Sequence, residues 1–198
     1  MVAHRQSILL LISVAALAAC GSDSSTSNTS AVSVPATTPT TTGPATPFHS
    51  DVYGYTVDSL DWQGRPATQA WDGTGSPGNG DPTVDTLNGP EGRQAYVLAA
   101  PTTATLDEYA AASRAAAHAS TDHPCPAAPE ATSSTTVAGE AAILDEIHCP
   151  DAAGVFALSV YVVHSGLAYT VFTFDQPGNE AAMRTWFSEL LNTIAFDV

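Results

Sequence analysis

The chain predicts an α+β domain built on a largely antiparallel sheet, and three observations support this. Two strand-forming runs, 155–164 and 167–174, flank Ser165-Gly166, a dipeptide suited to a two-residue hairpin turn. The other β-rich runs cluster on either side of one helical segment instead of alternating with helices. The C-terminal stretch carries Met183, Trp186, Phe187, Leu190, Leu191 and Ile194 at helical spacing, which predicts a closing helix with one broad apolar face.

In chain order, short strands are expected at 53–57, 83–87 and 94–99, separated by turn residues. Thr105-Leu106-Asp107-Glu108 has the form of a capping box, so a helix should start there and run to about His118 with Leu106, Tyr109, Ala110 and Ser113 facing inward. A strand at 141–148 ends at Cys149, and the hairpin follows. In its second arm Ala168, Thr170, Phe172 and Phe174 share one face and Leu167, Tyr169, Val171 and Thr173 the other. Both faces are apolar, so this pair should be central and covered by helix on at least one side. Asn179, just past Pro177-Gly178, is the expected N-cap of the last helix, with Glu180 near the positive end of its dipole.

The chain opens with an apolar run from Ile8 closed by Leu17-Ala18-Ala19-Cys20, behind a leader whose firm positive charge is Arg5. That run is about half the ~20 residues a spanning helix needs. Small residues before a cysteine mark a cleavage site, and the segment resembles the lipobox of bacterial lipoproteins. The resemblance implies that residues 1–19 are a signal peptide and that Cys20 becomes a lipidated N-terminus. Each buried acyl methylene contributes about 0.8 kcal/mol, so a multiply acylated cysteine holds stably to a membrane surface. Residues 20–47, rich in Ser, Thr, Ala, Pro and Gly, have too little apolar surface to offset ordering and are expected to be a disordered tether. Its Ser/Thr/Pro composition also suits O-linked sugars. Residues 48–198 are long enough to bury one core.

The sequence of 198 residues has no lysine and a formal net charge of −15. Such a surface repels phosphate backbones and anionic headgroups, which disfavours nucleic acid and leaves membrane attachment to the lipid. Cysteines in an exported domain fit an oxidising compartment.

Cys125 and Cys149 are the only cysteines of the domain, so a disulfide is the simplest account; it would close a loop of about 24 residues and contribute about 3 kcal/mol. The alternative is a zinc site drawn from His118, His123, Cys125, His148 and Cys149, although their spacing matches no strong template. Asp72, Asp81 and Asp85, in or near a Gly-rich loop, carry oxygens suited to calcium, but EF-hand spacing is absent, and aspartates that cap turns are the competing account. Without lysine there is no phosphate loop. Thr74 stands where a Gly-x-Ser-x-Gly elbow around Ser76 needs glycine. His164 reads as an exposed hairpin residue that no sequence pattern pairs with a nucleophile and an acid. The aromatic residues Tyr53, Tyr55, Trp62, Trp71 and Tyr96 are expected to anchor the core; Trp62, Trp71 and Tyr96 are also candidates to line a ligand groove.

Tyr53-Gly54-Tyr55-Thr56-Val57, the segment from Trp71-Asp72-Gly73-Thr74-Gly75 through Asp81-Pro82-Thr83-Val84-Asp85, Cys125-Pro126, Cys149 and the closing helix together resemble the PsbP/Mog1-like fold, as seen in a group of uncharacterised actinobacterial lipoproteins. The resemblance implies an α-β-α sandwich around an antiparallel sheet and a binding or accessory role. The expectation is therefore a non-catalytic, membrane-anchored extracytoplasmic module of the cell envelope, monomeric and without a cofactor. Its ligand would be an envelope protein, a glycan or a lipid. The alternatives are an envelope hydrolase whose site assembles only in three dimensions and an extracytoplasmic metal-binding protein.

Overall fold

In chain order the elements are β1 (Phe48–Ser50), β2 (Tyr55–Val57), β3 (Gln63–Arg65), β4 (Asp85–Asn88), β5 (Gln94–Pro101), α1 (Leu106–His118), β6 (Ala131–Val137), β7 (Glu140–Cys149), β8 (Val155–His164), β9 (Leu167–Asp175), α2 (Glu180–Leu191) and β10 (Ile194–Phe196). They come from a computed structural model that describes residues 46–73, 77, 80–119, 125, 126, 128–149 and 154–197. Cys20, residues 21–45 and His123 lie outside the described residues.

The fold is α+β. A seven-stranded sheet runs in the order β3-β4-β5-β9-β8-β7-β6 with every neighbouring pair antiparallel, and a small sheet β1-β2-β10 stands beside it. The hairpin at Ser165-Gly166 forms as expected. Its turn residues have φ of 48° and 80°, the left-handed pair of a type I′ turn, whose twist matches that of the strands it joins. β8 and β9 then pair from His164↔Leu167 to Phe156↔Asp175 in the middle of the sheet.

Strand alternation gives the sheet two buried faces. On one, Phe156, Leu158, Val160 and Val162 of β8, Tyr169 and Val171 of β9, and Ala95, Val97 and Ala99 of β5 pack with Met183, Trp186, Phe187, Leu190 and Leu191 of α2. The small sheet joins this core through Tyr55, Val57 and Ile194. Burial of each large apolar side chain contributes about 1.5–3 kcal/mol, so this layer dominates stability. On the opposite face Tyr109 and Ala110 of α1 meet Tyr161 and Ala168, with Leu106, Ile143 and Val163 half-buried around them. The Tyr109 and Thr170 hydroxyls lie 2.7 Å apart, which satisfies both inside this apolar contact. α1 begins with the expected capping box: Thr105 Oγ1 accepts from the Glu108 N–H at 3.3 Å, and Glu108 Oε2 accepts from the Thr105 N–H at 2.9 Å.

Four departures from the sequence-based expectations have physical causes. Ala131–Val137 forms β6, an edge strand whose side chains are mostly exposed, so it has no apolar alternation to reveal it. β1, β3 and β10 are three residues each, too short for a period-2 pattern. Ile194 fits the helical spacing of α2, yet the helix ends at Leu191 and Ile194 pairs with Val57 in β10. Asn179 occupies the N-cap position without a side-chain cap; its Nδ2 donates to Asp175 Oδ2 at 3.2 Å, and Glu180 Oε1 accepts the Gly178 N–H at 2.9 Å instead.

Candidate functional site

Cys125 and Cys149 form a disulfide with Cα atoms 4.4 Å apart. Both are buried beside Ile147 and Val155, so the bond holds the segment after α1 against the end of β7. A disulfide consumes both thiolates that a zinc site would use. His118, the last residue of α1, has its Nδ1 3.0 Å from the carbonyl oxygen of Cys125. His148 Nδ1 lies 2.7 Å from Glu130 Oε2 and Nε2 3.8 Å from Glu180 Oε1, with the ring 4.8 Å from that of Phe156. Arg184 sits over the same phenyl ring at 5.0 Å and grips Glu146, Nη2 to Oε2 at 2.7 Å. Among the described residues no three His, Cys, Asp or Glu side chains are placed to hold a metal ion.

The three aspartates do not converge. Asp72 is exposed. Asp81 Oδ1 accepts from the Thr83 N–H at 2.8 Å and from its hydroxyl at 2.6 Å, the turn-capping role, which holds its pKa below the usual carboxylate value. Asp85 is fully buried and accepts the Ala67 N–H. Burial pushes its pKa up, against the pull of hydrogen bonds and of Arg65.

The aromatic candidates are all buried. Trp62 packs on Trp186 with ring centroids 5.6 Å apart, over Gly89. Tyr53 ties the following loop: its hydroxyl donates to the Thr83 carbonyl and accepts from the Trp71 N–H at 3.2 Å, and burial raises its pKa to about 12. Trp71 packs on Leu98 and Ala100 with Phe172 against them. Tyr96 stacks on Phe172 at 5.2 Å and on Phe174 at 5.6 Å. Phe172 and Phe174 are half-buried, as are Val155, Ala157 and Ser159 on the same face of the neighbouring strand. This strip of the α1 face is the strongest candidate contact surface. Sequence alternation puts Phe172 and Phe174 on one face but carries no sign that α1 leaves them partly open.

A second constellation sits at the hairpin tip. His164 Nδ1 lies 2.9 Å from Glu140 Oε1, and its Nε2 lies 3.1 Å from Ser165 Oγ. Phe196 of β10 stacks on the imidazole at 4.6 Å with 12° between planes. The β7–β8 register, in which Ala142 faces Val162, brings Glu140 opposite His164. No spacing rule in the sequence announces a pair separated in this way.

No family model matches the chain. No curated protein matches it. Among solved structures it is similar to a cyanobacterial PsbP (CyanoP) from Synechocystis sp. PCC 6803, with a TM-score of 0.53 and 12% identity over 82% of this chain and 99% of that one. It is also similar to LpqN of Mycobacterium tuberculosis, which is described as involved in cell envelope biogenesis, with a TM-score of 0.48 and 10% identity over 77% of this chain and 90% of that one. A protein of unknown function, PA94 from Pseudomonas aeruginosa and a putative regulator, matches with a TM-score of 0.41 and 14% identity over 56% of this chain and 78% of that one. At such identities likeness speaks for architecture and not for activity. With its antiparallel sheet between α1 and α2, the domain has the PsbP-like fold.

Proposed function

We propose that this chain is a lipid-anchored, extracytoplasmic binding or accessory module of the cell envelope. The leader ending at Cys20 and the disulfide between Cys125 and Cys149 support that location, since structural disulfides persist in oxidising compartments. The observation that carries the binding role is the half-buried strip of Phe172 and Phe174 stacked on Tyr96. Flat aromatic faces attract sugar rings and acyl chains, while the net charge of −15 disfavours anionic headgroups. A neutral glycolipid is therefore the ligand class that suits this surface best.

Two measurements test the proposal. Cys20→Ser should move the exported protein from the membrane to the soluble fraction; full retention would remove the anchor. Titration with octyl glucoside below its micelle concentration, followed by tryptophan fluorescence, should saturate, and Phe174→Ala should weaken binding several-fold. A signal that does not saturate, or that ignores the substitution, would remove the contact surface.

A further inference from the structure

The geometry at the β8–β9 turn points to a second capability, independent of the aromatic strip. We propose that Ser165 is an activated nucleophile that attacks carboxylic esters, with His164 as its base and Glu140 as the positioning residue.

Four features converge on it. The chain Ser165 Oγ to His164 Nε2 (3.1 Å) and His164 Nδ1 to Glu140 Oε1 (2.9 Å) has the connectivity of a hydroxyl, an imidazole base and an orienting acid. With Nδ1–H donating to Glu140, Nε2 is left as the acceptor for the serine proton. The imidazole is clamped by the Phe196 stack, and its side chain is 23% exposed, so it is shielded while Ser165 is open to solvent. Ser165 itself sits at φ 48°, a left-handed conformation that costs a residue with a Cβ about 1–2 kcal/mol. Nucleophilic serines on sharp turns share that feature. The backbone N–H groups of Ser165 and Gly166 donate to no backbone carbonyl among the described residues, whereas the Gly166 carbonyl is engaged by the Thr102 N–H at 2.8 Å. Adjacent to the Ser165 side chain, these two backbone donors are the groups that would serve an acyl oxygen held there as an oxyanion site.

The reaction balances with water as co-reactant. Ser165 Oγ bonds to the ester carbon and its proton passes to His164 Nε2. The carbon–alkoxide bond breaks and the alkoxide leaves with that proton. Water then gives a proton to Nε2, attacks the acyl carbon and releases the acid as Oγ recovers its proton. Glu140 stays ionised throughout and holds the imidazolium in place.

The test uses the full chain with its disulfide intact and an organophosphonate fluoride probe, read by peptide mass spectrometry, alongside hydrolysis of p-nitrophenyl acetate. The expected result is one adduct on Ser165 and ester turnover that Ser165→Gly abolishes; glycine suits the turn, so this variant should keep its fold by near-ultraviolet circular dichroism. His164→Asn should slow labelling at least tenfold. Glu140→Gln should slow it as well, and Glu140→Asp should restore part of the rate, which a merely structural contact would not do. Absence of an adduct on Ser165, or equal labelling in His164→Asn, would overturn the proposal.

Discussion

The guanidinium of Arg114 on α1 closes a two-point pair on the carboxylate of Asp145 on β7, Nε to Oδ2 at 2.7 Å and Nη2 to Oδ1 at 2.8 Å. Asp145 is 0% exposed and also accepts the Thr132 hydroxyl at 2.9 Å, so its charge is balanced entirely by protein groups. The same pairing raises the pKa of Arg114. Arg114→Ala strands a buried anion and should cost about 3 kcal/mol in urea unfolding at neutral pH. A loss below about 1 kcal/mol would show that solvent reaches Asp145 more freely than the geometry implies.

Asp85 predicts an effect of opposite sign. Burial raises its pKa, so the folded state favours the protonated form. That contribution is fully present below the unfolded value of about 3.9 and is lost as the pH rises through the folded value. At neutral pH the buried anion is therefore a penalty. Asp85→Asn keeps an oxygen for the Ala67 N–H. It should raise the melting temperature at pH 7 and flatten the pH dependence above the ordinary carboxylate range. A lower melting temperature at pH 7 would mean that the anion is the stabilised form.

Glycine is required at two packing points for lack of space. A Cβ at Gly89 would lie 2.7 Å from Trp62 Cη2, and one at Gly64 would lie 2.2 Å from Phe48 Cδ2. Gly89→Ala should displace Trp62 from Trp186 and cost about 1–3 kcal/mol. Thermal melting with tryptophan fluorescence tests both parts; an unchanged spectrum and melting temperature would mean that the loop yields without disturbing the ring pair.

The disulfide closes a loop with a sequence separation of 24. Cys125→Ser or Cys149→Ser should lower stability by about 2–4 kcal/mol. The double variant should lose little more than either single one, because the two positions act as a unit. Equal melting of oxidised and reduced wild-type protein would contradict this.

Much of the architecture was legible because local chemistry and global fold agree at these positions. Ser165-Gly166 specified a turn, Thr105 through Glu108 specified a cap, and Met183 through Leu191 specified an apolar face. β6 was hidden because an edge strand of Ser and Thr satisfies its backbone from one neighbour and leaves its side chains to water. β10 was hidden because Ile194 suits two periodicities at once, and tertiary pairing with Val57 decides between them. The candidate site was less legible than the fold. Phe172 and Phe174 looked like ordinary interior positions, since nothing local says how wide a strip of sheet α1 covers. Glu140 and His164 meet only because β7 and β8 adopt one register, a choice made by the whole sheet.

The pairing of β2 with β10 also sets an order on biosynthesis. Residues 55–57 leave the ribosome among the first of the domain, yet their hydrogen-bond partners at 194–196 are among the last. The early strand must wait through the synthesis of nearly all the rest of the domain, so the closing of the small sheet is tied to the arrival of Ile194–Phe196. A nascent chain stopped before Ile194 would leave the Tyr55–Val57 edge open to pairing with a stranger. By this device the domain closes only when two segments nearly 140 positions apart are both present.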